Sequence, residues 1–254
     1  MRLNDYPLVV FVVSFFGLAI CSWVGATMLR RRRPLEEDAR KDFDVVLAGT
    51  LTLLGLILGF SFSMAINRYD QRKNLEEEEA NAIGTEMLRA ELLPAADASR
   101  IKSLLKDYLA QRIDFYSIRD EERHREINLR VARLQSELWS AVQAPAVAQP
   151  TPLSALAVAG MNDVLNSQGY SQAALWNRIP RAAWWLMMLI AVCANVLMGY
   201  GVRNHKTERL LLLVLPLIVS VTFMLIADID SPRGGFIRVV PQNLISVSEG
   251  LRAP

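Results

Sequence analysis

An uncharged run of 22 residues, at positions 45–66, limits what this chain can fold into more than any other feature. As an α-helix it would be about 33 Å long, enough to cross the roughly 30 Å hydrocarbon core of a bilayer. Further uncharged runs at 7–29, 182–202 and 210–227 raise the apolar content to 52%. The sequence therefore predicts an all-α integral membrane protein with four transmembrane helices in a lipid bilayer.

A long polar insert separates the second span from the third, and its apolar residues recur at helical spacing. We predict four regions: residues 1–70 with the first two spans, an extramembrane helical domain at 71–180, residues 181–230 with the last two spans, and an extended C-terminal tail at 231–254.

Proline and helix-capping residues divide the insert into separate helices. The first begins at the acidic run 76–79 and is broken by Pro94, and the second is capped by Asp97 or Ser99. Two more occupy 121–142 and 153–174, with a linker at 144–152.

The second span carries more small and hydroxyl residues than a simple anchor needs. At 100° per residue, one face of its helix holds the following residues, here called the stripe: Gly49, Thr52, Leu56, Phe60, Ser63, Asn67, and beyond the span Gln71, Asn74, Glu78, Asn81 and Thr85. A two-residue apolar band between polar groups is typical of a pore that closes by dewetting. This predicts a gate at Leu56 and Phe60 with polar lining at Thr52, Ser63 and Asn67. Alternatively, Leu56 and Phe60 fill a bundle core.

Three other features suggest sites. Gly55 and Gly59 form a small-xxx-small pattern that favours close helix packing, within a subunit or between subunits. Glu78 and Asn81 lie on the stripe and could form a charged ring in a symmetric oligomer, whereas Glu76 and Glu77 fit a solvated helix start.

At the end of the fourth span, Asp228 and Asp230 could bind a divalent ion. Pairing with Arg68 or Arg233, or capping of a helix, is favoured over ion binding.

Enzymatic chemistry and cofactors are not predicted. The two cysteines lie in apolar spans, and the two histidines lack acidic or cysteine companions at ligand spacing. No nucleophile–base pair, phosphate-binding loop or zinc signature is present in the sequence. The net charge of +2 is too small to indicate a nucleic-acid partner.

Basic residues at 30–33 and in the loop 203–209 suggest a topology. Positive residues beside a span favour the cytoplasm, which places the insert 71–180 outside.

Residues 58–60 (Leu-Gly-Phe), Arg68-Tyr69, 78–85 (EEANAIGT) and 227–234 (ADIDSPRG) resemble the bestrophin channels and, over most of the chain, a bacterial bestrophin-like membrane family. The resemblance implies a pentamer with the second spans around an ion path and a neck at Thr52, Leu56 and Phe60. It also places the insert in the cytoplasm, opposite to the charge rule. Thr52 and Leu56 depart from the bulkier residues of the family neck, and no acidic cluster resembles its calcium clasp.

These observations predict a homo-oligomeric, pentameric channel for inorganic ions in a bacterial inner membrane. The alternative is a non-conducting scaffold or sensor that binds a partner through residues 71–180. Coupled transport is disfavoured, because no charged residue lies inside a span.

Overall fold

A computed structural model describes residues 5–32, 35–202, 210–232 and 234–252, so Arg33, Arg233 and the predicted loop 203–209 lie outside the described residues. The described elements are helices, and no strand occurs among them. In chain order they are α1 (Pro7–Val24), α2 (Arg30–Arg32), α3 (Arg40–Arg89), α4 (Ala95–Ser117), α5 (Glu121–Ala148), α6 (Pro152–Trp176), α7 (Arg181–Gly201), α8 (Leu211–Asp230) and α9 (Gln242–Gly250).

Four helical intervals are long and apolar enough to cross a membrane: Pro7–Arg32, Arg40–Leu92, Pro152–Gly201 and Leu211–Asp230. The third interval contains both α6 and α7, and its uncharged run lies in α7. The prediction of an all-α protein with four membrane helices is confirmed.

The second span belongs to a much longer helix than predicted. Helix α3 has 50 residues and is about 75 Å long, more than twice the thickness of the hydrocarbon core. The prediction that a helix begins at residues 76–79 is therefore wrong. Residues 60–83 contain neither proline nor glycine, so nothing ends the helix where it leaves the apolar run.

The chain divides into two compact units. The membrane unit comprises Met1–Tyr69 and Arg178–Arg238, and the helical unit comprises Asp70–Asn177 and Val239–Pro254. In the membrane unit, α1 packs against α7 and α8. Its core includes Leu18, Leu58, Met187 and Phe223, each less than a tenth exposed.

A glycine contact brings α1 and α7 close together in the membrane unit. A Cβ on Gly199 would lie 2.0 Å from the carbonyl oxygen of Ser22, and one on Gly25 would lie 2.1 Å from that of Val196. Beside this crossing, Ser22 donates to Asn195 Oδ1 at 3.1 Å, and Asn195 donates to the Ala191 carbonyl at 2.8 Å. A π turn, Gly25–Leu29, begins at the first of these glycines, directly beside the crossing.

In the helical unit, α4 packs on α5, α5 on α6, and α9 on α4. The buried core includes Ile83, Leu105, Leu138 and Met161. Leu244 of α9 is fully buried, with Val247 and Leu251 packed partly against the same core. The prediction of an extended C-terminal tail is wrong over Gln242–Gly250, because these apolar residues recur at helical spacing and find a core.

Two predicted boundaries also move. Helix α5 continues through Pro145 to Ala148, so the predicted linker 144–152 shrinks to residues 149–151. Pro145 is buried, which extends the apolar face of α5 by a turn. Helix α4 begins directly after Pro94, which leaves Asp97 in its first turn and Ser99 in its second, so the prediction that one of them caps the helix is wrong.

Candidate ion pathway

The stripe is exposed throughout the membrane-unit part of α3. Leu56 is 52% exposed and Phe60 is 63% exposed, and Gly49, Thr52, Ser63 and Asn67 are exposed as well. The residues that α3 buries in this unit lie on the opposite side of the helix: Leu54, Leu58, Ser61 and Ala65. Leu56 and Phe60 therefore do not fill a core within the described chain.

The same division holds along the helical-unit part of α3. Gln71, Asn74, Glu78, Asn81 and Thr85 are exposed. The opposite face is buried and holds Arg72, Glu76, Glu79, Ala80, Ile83, Glu86 and Met87. One helix face thus stays free of packing against the described part of the chain over all eleven stripe residues.

The hydroxyl groups near the start of the stripe are partly used by the helix itself. Thr50 donates to the Val46 carbonyl at 2.8 Å, and Thr52 donates to the Ala48 carbonyl at 2.9 Å. Thr52 consequently presents its oxygen lone pairs, rather than its proton, to whatever lies beside the stripe.

Gly55 and Gly59 have no close neighbour on another helix among the residues that the structure describes. A Cβ built on either glycine meets no heavy atom within 4 Å. Close packing at this pair within the described protomer is therefore absent, and the pair remains open to a neighbouring molecule.

The acidic run splits between the two faces of α3. Glu77 and Glu78 are exposed, whereas Glu76 and Glu79 are fully buried. The expectation that Glu76 is solvated is wrong, because its carboxylate accepts hydrogen bonds from the backbone of Asn243 and Leu244 at 3.1 and 3.0 Å, and from the Asn243 side chain at 2.7 Å. Glu76 thereby holds the first turn of α9.

Glu79 anchors α3 to two other helices. Its carboxylate pairs with Arg112 of α4, whose Nε donates to Oε1 and whose Nη2 donates to Oε2 at 3.1 Å. Tyr116 and Ser171 donate to the same Oε2 at 3.3 and 3.1 Å. The Arg112 guanidinium also lies 4.3 Å from the ring centre of Phe115, a cation–π distance.

The electrostatics of this network favour its charged pair. Burial acts to lower the pKa of Arg112, but the Glu79 carboxylate outweighs it and the net pKa is raised. Burial first, and then the Glu79 charge, raise the pKa values of Tyr108 and Tyr116. Both phenols therefore stay neutral at physiological pH.

The carboxylates of Asp228 and Asp230 accept hydrogen bonds from backbone amides. Asp228 accepts from Phe236 and Ile237 at 2.6 and 2.9 Å, and Asp230 accepts from Ile179 at 3.0 Å. Among the described residues no group of three or more histidine, cysteine or acidic side chains could hold a metal ion. The two carboxylates order the chain beside the ends of α8 and α7.

Sequence reasoning missed the buried acids of α3, although a signal was present. Glu76, Glu79 and Glu86 fall on the same helical face as the apolar residues Ala80, Ile83 and Met87. An acid on an apolar face indicates a buried partner, but the partner Arg112 lies on another helix and cannot be identified from spacing.

A family model described as a Bestrophin-like domain matches residues 16–244. A solved structure of a bacterial bestrophin homologue from Klebsiella pneumoniae is similar at 15% identity and a TM-score of 0.61, with 94% of this chain and 98% of that chain covered. A point mutant of a Klebsiella pneumoniae homologue gives 15% identity and a TM-score of 0.62, covering 95% and 97%. Curated proteins give no significant match. At this identity the structural likeness shows the fold.

Proposed function

The chain belongs to the bestrophin-like family, and we propose that it is a homo-oligomeric ion channel whose path is lined by the stripe on α3. The observation that carries the proposal is the continuous exposure of that stripe opposite a buried helix face. If the stripe faced lipid, Asn67 and the hydroxyl groups of Thr52 and Ser63 would lie beside hydrocarbon or its edge, where polar groups are unfavourable. A shared axis gives them water and ions instead.

The apolar band at Leu56 and Phe60 is the proposed gate. In a ring of subunits, these side chains would narrow the path to an apolar constriction that water leaves readily, which blocks ions without a charged barrier. Thr52 on one side, and Ser63 and Asn67 on the other, supply oxygen and amide groups that replace part of the hydration shell. Glu78 and Asn81 form the proposed ring of polar and charged groups beyond the span.

The family resemblance favours five subunits, and the open glycine pair Gly55–Gly59 offers a surface on which neighbouring α3 helices could approach. A bacterial inner membrane is the proposed location. If native mass measurement found a dimer, the non-conducting scaffold or sensor would be favoured over the channel.

Currents across planar bilayers test the proposal. We expect the purified protein to conduct, and Phe60→Ala to raise the open fraction because it removes the larger side chain of the apolar band. Met64→Ala is the matched control, since Met64 is 39% exposed but lies outside the stripe, about 40° further round the helix than Phe60. Silence of the wild type and of Phe60→Ala across voltage, pH and calcium would overturn the channel assignment.

A further inference from the structure

Glu86 is a buried carboxyl group that the proposed pathway does not use. It lies on the packed face of α3 in the helical unit, with no exposed surface, and neither carboxyl oxygen has a hydrogen-bond partner among the described residues. It faces α6 at Gly160, where an added Cβ would lie 2.1 Å from Glu86 Oε2. A side chain at position 160 would therefore displace the carboxyl group from this place.

Two charged groups of the described residues act on Glu86. Arg89 lies one turn further along α3, and its Nη1 would be 2.5 Å from a Cβ on Gly160. The same Nη1 atom is 3.7 Å from Oδ2 of Asp163, which belongs to α6. Two carboxyl groups therefore share one guanidinium, and in this arrangement the arginine forms its ion pair with Asp163, while Glu86 has neither a hydrogen bond nor an ion pair among the described residues.

This environment favours the protonated form of Glu86. Burial raises the pKa of Glu86 from 4.5 to about 8, with Arg89 opposing the shift and Asp163 adding to it. The buried carboxyl group is consequently neutral at neutral pH. If it ionises, the buried negative charge needs compensation, and Arg89 is the cation within reach.

We propose that Glu86, Arg89 and Asp163 form a proton-operated latch between α3 and α6. With Glu86 protonated, Arg89 pairs with Asp163 and ties the two helices together across Gly160. When Glu86 loses its proton to water, the resulting carboxylate attracts the guanidinium group of Arg89. The ion pair then lies within α3, and Asp163 on α6 is released. The protonation state of Glu86 thus decides whether the ion pair of Arg89 connects α3 to α6 or lies within α3.

The latch itself belongs to the helical unit, and only its effect on conduction rests on the proposed function. Because α3 also carries the proposed gate, a change in its packing against α6 would alter channel opening. The pH dependence of conduction and that of helix packing are therefore measured separately.

The expected pH dependence follows from linkage. The folded chain holds the Glu86 proton up to about pH 8, whereas the unfolded chain loses it near 4.5. Folding stability from this group is therefore fullest below the lower value and declines as pH rises through that window.

Thermal unfolding and infrared difference spectra of the full-length protein in nanodiscs test the latch. We expect the unfolding midpoint of the wild type to fall by several degrees as pH rises from about 5 to about 9, and the carbonyl band of a protonated carboxylic acid to disappear near the upper value. Glu86→Gln should remove both changes. The matched control Glu77→Gln, an exposed acid on the same helix, should retain them.

Asp163→Asn provides a second variant that leaves the core untouched, since the Asp163 side chain is 66% exposed. It frees Arg89 to pair with Glu86, so the infrared transition should move to lower pH. The latch is overturned if Glu86→Gln keeps the wild-type pH dependence, or if Asp163→Asn leaves the transition in place. Bilayer currents that ignore pH in a protein with an intact infrared transition would reject only the link to conduction.

Discussion

The two units hold their helices together by different chemistry. In the membrane unit, α1 and α7 meet backbone against backbone at Gly25 and Gly199, and buried polar groups such as Asn195 bond to nearby carbonyl or hydroxyl oxygens. In the helical unit, a fully buried ion pair, Glu79–Arg112, joins α3 to α4.

This difference follows from the surroundings of each unit. Within a bilayer, lipid and side chains are equally apolar, so helices gain association energy from close approach at small residues rather than from burying apolar area. Outside it, the hydrophobic effect builds a core that can contain a charged pair, provided that every charge has a partner. In both units one face of α3 packs against the rest of that unit, and the stripe on the other face stays exposed.

The largest loss of unfolding free energy is expected when the buried ion pair of the helical unit is broken. Glu79→Gln leaves the Arg112 guanidinium buried against a neutral amide, which should cost about 3–5 kcal/mol of unfolding free energy. The measurement is unfolding in detergent, followed by tryptophan fluorescence. Glu77→Gln, an exposed neighbour, should change it by less than about 0.5 kcal/mol. Equal effects of the two variants would show that the network does not stabilise the helical unit.

A matched glycine pair tests the membrane unit. Gly199→Ala puts a Cβ 2.0 Å from a backbone oxygen that cannot rotate away, so we expect a loss of about 2 kcal/mol or more. The added Cβ of Gly55→Ala meets no atom of the described residues within 4 Å and should leave the protomer fold intact. Thermal unfolding compares the folds, and native mass measurement compares the assemblies. A lowered subunit count with Gly55→Ala alone would sharpen the proposal that this glycine contacts a neighbouring subunit.

A smaller effect is expected at the C-terminal helix. Glu76→Gln replaces a carboxylate that accepts three hydrogen bonds with an amide whose NH₂ group opposes one of the donors, at a cost of about 1–2 kcal/mol. Amide hydrogen exchange should therefore accelerate in α9 more than in α5. Unchanged protection of α9 would mean that Leu244 and the surrounding core hold the helix without the carboxylate.

Much of the fold could be predicted from the sequence because span length and helical periodicity are local properties. The uncharged runs identified the membrane helices, and helical arithmetic grouped the stripe that the structure leaves exposed. What could not be predicted depends on contacts between distant residues. The Arg112 partner of Glu79, the glycine crossing at Gly199 and the core that receives α9 are each set by helix packing. The glycine pair singled out in the sequence, Gly55–Gly59, makes no close contact with the residues that the structure describes, whereas Gly25 and Gly199 do.

The central claim is that the stripe faces an ion path, and thiol modification during current recording tests it most directly. In a background with Cys21 and Cys193 replaced by alanine, cysteines are introduced singly at Thr52, Ser63 and Met64. A charged, water-soluble thiol reagent should change the conductance of Thr52→Cys and Ser63→Cys channels and leave Met64→Cys channels unaffected. Modification of Met64→Cys alone, or equal effects at all three positions, would contradict the account.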